Sequence, residues 1–284
     1  MAVQLGNVGR LWQQIPGITG VNAGGLALVN IPTNARYHRL NFFATNNGVA
    51  STAKLTSVKV LVNGVNMRDI SPAQMINIAK TQGYTPSAGV LPIFFTQPWR
   101  NLLQGNDSNS WDMAGQSTFA VQIGVDPTAV NPTIVGSWEI DYLRNFKTDP
   151  GNGAQVPYLQ PVAQHFFAFN GVQGQNPITV LPFDYPISRM WISAGAGNNI
   201  TLLEVFQDGN KIIEGTPTQI NESLLQYGIL CGGANPFETA AVFDVDQRWW
   251  KALKVANSMN IRVTLSAADN IAIVLETMPG GYMA

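Results

Sequence analysis

The residues whose types could do chemistry are few: two histidines, two spaced carboxylate pairs, one glycine turn, one cysteine and a set of tryptophans. A metal centre on a β-sandwich needs a His-x-His pair with further Glu and His ligands converging in one domain. His38 and His165 are the only histidines and fall in different halves of the chain. No metal, cofactor or catalytic centre is therefore expected, and His38, between Tyr37 and Arg39 on a strand, reads as structural. Asp244-x-Asp246 and Glu139-x-Asp141 each place two carboxylates on one strand face. That spacing suits a hard cation, a hydrolytic pair or the solvated face of an edge strand. Gly195-Ala-Gly197 follows a strand, but Asn198-Asn199 and another strand come next. A phosphate loop needs a helix N-terminus there, so this glycine pair reads as a turn. A single cysteine, Cys231, excludes an intramolecular disulfide and a Cys-cluster metal site. Trp99, Trp249 and Trp250 are the aromatics placed for recognition, either stacking on sugar rings or packing between subunits.

The elements that would position these residues occur twice. Residues 58–83 (VKVLVNGVNMRDISPAQMINIAKTQG) align without a gap on residues 203–228 (LEVFQDGNKIIEGTPTQINESLLQYG). Val60 falls on Val205, Gly64 on Gly209, Pro72 on Pro217, Gln74 on Gln219 and Gly83 on Gly228. Each copy carries an alternating apolar run into Asn63-Gly64 or Asp208-Gly209, pairs that accept the positive φ angles of a tight hairpin turn. Ser71-Pro72 or Thr216-Pro217 then supplies a hydroxyl N-cap and a proline at the first helical position. Apolar residues follow at helical spacing, and Gly83 or Gly228 stands where the helix should stop. A long-period repeat of this kind sets the architecture of the whole chain.

The chain has 284 residues, which matches two domains of about 150 residues each. Sixteen Lys and Arg against 17 Asp and Glu give a net charge of −1, so no basic field points to sequence-specific nucleic-acid binding. Charged residues are only 12% of the chain, about half the usual share. Charge depletion marks the buried centres of protein interfaces, so a neutral surface suits a protein packed into an assembly. There is no apolar run of membrane-spanning length and no signal-peptide pattern at the start, so synthesis in the cytoplasm without export is expected.

Taken in order, residues 1–24 read as an N-terminal arm with Leu5, Val8, Trp12 and Ile15 on one helical face. It would either reach a neighbouring subunit or lipid surface, or fold back on its own domain. Residues 25–145 form the first domain and 162–284 the second, joined by a proline- and glycine-rich linker, 146–161. Strands are expected at 25–31, 36–44, 118–125 and 133–143, and at 177–181, 186–194, 260–266 and 270–278. Aromatic clusters at 91–103 and 241–253 set Trp99 against Trp249, and their recurrence favours a shared structural duty over a sugar site. About seven short strands and one helix per half predict an all-β chain of two tandem sandwiches with jelly-roll architecture. The eighth strand that a jelly roll needs is not visible in either half.

In its duplicated order of elements, and most strongly in HFFAFNG (165–171), PITVLPFDYPISRMWISA, LLEVFQDGNKI and LLQYG (224–228), the sequence resembles the double jelly-roll major capsid proteins of tailless icosahedral viruses. The small, corticovirus-type bacteriophage forms are nearest. The resemblance covers the chain from about residue 25 onward. It implies a homotrimer whose six jelly rolls make a pseudo-hexagonal capsomer of a virion shell. Its implied partners are neighbouring capsomers, penton or minor capsid proteins and an internal membrane. Trp12, Trp99, Trp249 and Trp250 are the expected subunit-interface residues. The alternative is a tandem β-sandwich carbohydrate-binding protein of lectin or fibre type, and after that a hydrolase using Asp244 or Glu139.

Overall fold

Both repeated hairpin turns adopt the backbone that their residues favour: φ is 51° at Asn63 and 77° at Gly64, and 49° at Asp208 and 84° at Gly209. Positive φ at both central positions is the type I′ turn, whose twist matches that of the strands it joins. Each turn is also clasped from the side. Asn63 Oδ1 accepts from the Ser117 and Thr118 amides, and Asp208 Oδ1 from those of Asn257 and Ser258. The computed structural model that shows this describes residues 9–96, 110–143, 146–148, 155–157, 161–195, 199–233, 235–243, 253–255 and 257–278.

The chain divides into two compact units, one running to Ile76 with Pro86–Val162, the other Asn77–Thr85 with residues from Ala163 on. In the first, the strands are β1 (Leu11–Gln14), β2 (Leu26–Ile31), β3 (Arg36–Asn46), β4 (Val49–Ala50), β5 (Leu55–Val62), β6 (Val65–Ile70), β7 (Val90–Phe94), β8 (Trp111–Asp112), β9 (Phe119–Val125) and β10 (Thr133–Asp141). A hairpin, β11 (Phe146–Thr148) with β12 (Gln155–Pro157), occupies the stretch read as a linker. In the second they are β13 (Ala163–Gly171), β14 (Gly174–Ile178), β15 (Ile187–Ala194), β16 (Ile200–Gln207), β17 (Asn210–Gly215), β18 (Thr239–Val242), β19 (Met259–Leu265) and β20 (Asp269–Thr277).

Strand pairing repeats with the same winding. The first unit sets β1-β10-β3-β7 against β2-β9-β5-β6, and the second sets β13-β20-β15-β18 against β14-β19-β16-β17. Numbering the eight frame strands of either unit in chain order gives sheets 1-8-3-6 and 2-7-4-5, the jelly-roll wind. The strand missing from the first half lies inside the segment read as an arm: Leu11–Gln14 pairs antiparallel with β10, Trp12 opposite Glu139. Only four residues long, and with three of them exposed, it carries no alternating pattern. The strand expected at 177–181 sits earlier, at Gly174–Ile178, because Pro177 is accommodated on an edge strand and does not start one.

Alternation fills each sandwich. Val58, Val60 and Val62 on β5 meet Phe119, Val121 and Ile123 on β9 with almost no exposure. In the second unit Met190, Ile192 and Ala194 pack on Leu203, Val205, Ile261, Val263, Ile271 and Ile273. Each fully buried aliphatic side chain contributes about 1.5–3 kcal/mol.

The two helices among the described residues, α1 (Pro72–Thr81) and α2 (Pro217–Leu225), start with the same capping box. The Gln74 amide donates to Ser71 Oγ while Gln74 Oε1 accepts from the Ser71 amide. Gln219 and Thr216 repeat both bonds. This gives the recurring glutamine its reason, since the pair satisfies two amide donors that have no helical partner, and loss of such a hydroxyl cap costs about 1 kcal/mol. Gly83 and Gly228 close the helices at φ 78° and 74°. The next amides, Tyr84 and Ile229, reach back to the carbonyls of Ala79 and Leu224.

Candidate functional site

The chemistry-bearing residues of the first half converge on a bulge. Between the Arg39–Glu139 and Tyr37–Ile140 pairs, β3 holds one extra residue, His38. A bulge re-aims side chains at a sheet margin. Here it sends buried His38 Nε2 to Asp141 Oδ2 at 2.7 Å. Arg36 grips the same carboxylate in a two-pronged contact, Nε to Oδ1 at 2.9 Å and Nη2 to Oδ2 at 2.6 Å. Burial alone would raise the Asp141 carboxyl, but the hydrogen bonds from His38 and Arg36 and the attraction of Arg36 outweigh it. They hold it well below the usual carboxylate range.

The second unit repeats the device. Ser188 is the extra residue of β15, between the Ile187–Thr277 and Arg189–Glu276 pairs. It too is fully buried, and its hydroxyl meets Glu276 Oε1 at 3.1 Å. Arg189 Nε lies 3.9 Å from that oxygen, and Gln164 donates to Glu276 Oε2 at 2.8 Å. In both units the backbone carbonyl of the bulged residue accepts from a neighbouring segment, Phe95 in one and Phe243 in the other. Arg39 on Arg189 is the trace of this device visible in the sequence. Its partners, Glu139 and Glu276 near the ends of the last strands, were the signal left unused.

Glu139 and Asp141 therefore do not act as a pair. Glu139 takes Arg10 at 3.0 Å and Arg39 at 3.3 Å, and Asp141 takes Arg36 and His38. With both oxygens of each acid engaged by cations, neither is open to a metal ion or to an attacking water. Asp244, Asp246 and Gly197 lie outside the described residues. Gly195, at φ 30°, donates its amide to the Asn270 carbonyl as a turn residue. Burial pushes the Cys231 thiol up to about 12, so it is protonated and unreactive at neutral pH. Among the described residues no three His, Cys, Asp or Glu side chains are grouped to hold a metal, and no helix is long and apolar enough to cross a membrane.

Four of the seven tryptophans are described. Trp111 and Trp191 are wholly buried and Trp138 nearly so, while Trp12 is 56% exposed. Trp99, Trp249 and Trp250 lie outside the described residues. Trp12 stands on the outer face of the β1-β10-β3-β7 sheet, its ring under the Arg39 guanidinium at 4.5 Å. Two registers along, Val135 and Phe43 face each other directly and are 52% and 43% exposed. The outward face thus carries two exposed apolar spots, Trp12 beside the Glu139–Arg39 pair and Val135 with Phe43, separated by Ser137 and Asn41. This mixture of aromatic, Arg and neutral polar groups suits a protein–protein contact.

The comparisons with known proteins agree with this geometry. The family model described as viral coat protein P2 N-terminal domain matches residues 12–140, and that of the viral coat protein P2 C-terminal domain matches 161–280. No curated protein sequence matches the chain. Among solved structures, the major capsid protein P2 from bacteriophage PM2 is similar with a TM-score of 0.79 at 17% identity, covering 95% of this chain and 97% of that one. The atomic structure of Sulfolobus turreted icosahedral virus gives 0.64 at 11% identity, with 95% and 91% covered. The PBCV-1 virus capsid gives 0.59 at 8%, with 95% and 93% covered. These likenesses establish the fold, and the family matches span most of the chain. The family is one of structural capsid proteins and is not known as enzymatic. With its jelly-roll wind present twice and both family domains matched in order, the chain belongs to the viral coat protein P2 family and is a double jelly-roll major capsid protein, a component of the virion shell.

Proposed function

We propose that this coat protein assembles as a homotrimer whose six jelly rolls form a pseudo-hexagonal capsomer, and that such capsomers tile an icosahedral shell. The observation that carries the reading is the identical 1-8-3-6 and 2-7-4-5 wind in both halves. Three copies of a chain with two like sandwiches present six like bodies around a threefold axis. A ring of this type uses head-to-tail contacts, one face of each copy against a different face of the next. The Trp12–Phe43–Val135 face is a candidate for one side of that contact, and Trp99, Trp249 and Trp250 remain proposed contributors. Neighbouring capsomers, penton or minor capsid proteins and an internal membrane are the further partners of the reading.

Light scattering after gel filtration tests it. Three copies of the 30.7 kDa chain give about 92 kDa. With charged residues at 12% of the chain, the contacts should be apolar and neutral-polar, so about 1 M NaCl should leave that mass unchanged. Folded monomers at either salt concentration would count against the trimer.

A further inference from the structure

At one end of the second sandwich, three connections border an open cavity of about 500 Å³. Thr179 and Phe183 come from the β14–β15 connection, Gly209 from the β16–β17 turn, and Asn257 and Ser258 from the segment before β19. Phe206, Met259, Asn260 and Arg262 complete the wall from the strands. Among the described residues this lining has one cation and no acid.

The carboxylates nearby are already engaged. Glu204 stands directly opposite Arg262 in the β16–β19 ladder, yet its Oε1 takes Lys211 at 2.6 Å and its Oε2 takes Gln175 at 3.1 Å. Asp208 Oδ1 accepts the two backbone amides of Asn257 and Ser258. Arg262 makes no close ion pair among the described residues, and its charge reaches Glu204 only at longer range. Its guanidinium carbon lies 4.4 Å from the centre of the Phe206 ring, which holds the fork at the cavity wall, and its N–H groups make no hydrogen bond among the described residues.

We infer that this cavity binds an organic phosphate ester, its phosphoryl group on Arg262 and its organic part against Phe183, Phe206 and Met259. A guanidinium fork alone would also suit a carboxylate. The hydroxyls of Thr179 and Ser258 and the carboxamides of Asn257 and Asn260 add donors from other directions, which a tetrahedral phosphoryl group can use and a planar carboxylate cannot use fully. The volume leaves room for an organic group beyond inorganic phosphate itself. Its source is either a phospholipid headgroup or a soluble phosphate ester.

The experiment uses the purified full-length protein, calorimetric titration with glycerol 3-phosphate, and flotation with phosphatidylglycerol or phosphatidylcholine vesicles. The expected result is saturable binding of glycerol 3-phosphate, weakened at least about tenfold by Arg262→Gln and unchanged by the remote Lys59→Gln. Thermal unfolding of both variants should match the parent. Retention on anionic vesicles that also depends on Arg262 assigns the ester to lipid, whereas soluble binding without retention assigns it to a soluble ester. Absence of saturable binding in both arms, equal binding by Arg262→Gln, or equally tight binding of glucuronate overturns the proposal.

Discussion

Asp141→Ala is expected to cost the first sandwich about 3–5 kcal/mol, because it strands the buried Arg36 guanidinium without its counter-charge. The loss exceeds that of an ordinary surface ion pair since all three members are nearly inaccessible to water. Asp141→Asn keeps the shape but not the charge, and should recover only a minor part. Urea unfolding measures the cost, and hydrogen exchange localises it to β3 and β10. A change below about 1 kcal/mol would mean that the network contributes little. The same carboxylate sets a pH dependence. Its folded value lies below the ordinary 3.8, so its stabilising contribution is complete above about pH 4. That contribution fades progressively as pH falls from about 4 toward the depressed value, because over that range the unfolded chain takes up a proton that the folded carboxylate refuses. The first sandwich should therefore weaken steadily below about pH 4, and the loss is complete once the folded state is protonated too.

Trp191→Ala is the second large effect, about 3–5 kcal/mol on the second sandwich. Trp191 sits mid-strand on β15, between Val274 and Ala240 in register, fully buried on the side away from Met190 and Ile192. Its ring meets Phe237 at 6.3 Å. No neighbouring strand can close over a hole of that size without moving the segment that carries Phe237. The indole N–H is buried and has no hydrogen-bond partner among the described residues. Trp191→Phe should therefore cost much less than the alanine change, since it removes an unsatisfied donor along with part of the ring. Equal costs for the two would show that ring volume is not what the site needs. Amide exchange should report the loss in β15 and β20 and leave β5 and β9 protected.

What was legible in the sequence was local. Asn63-Gly64, Ser71-Pro72 and Gly83, with their counterparts, each fix their own few residues through turn and cap chemistry, so both copies appear in the structure where the repeat put them. The strand β1 was not legible, because its identity rests on pairing with Glu139 more than a hundred residues away and its own four residues are mostly exposed. The Asp141 network escaped for the same reason and one more. Spacing set Glu139 and Asp141 on one face as a pair, but spacing cannot reveal the extra residue at His38 that gives each acid its own cations. The sequence pattern sets Trp12 on one face of a helical arm, whereas it lies on strand β1, and the stacking of Arg39 on it depends on β3 and β1 sharing a sheet through β10. The Arg262 cavity had no sequence signal, since it is made by three loops that meet only after the jelly roll has wound.

The most direct test of the capsomer is electron microscopy of the purified protein in negative stain, sorted into two-dimensional class averages. The account predicts compact particles with six lobes and threefold symmetry, two lobes for each chain. Particles with two lobes, or closed rings of any other order, would contradict it.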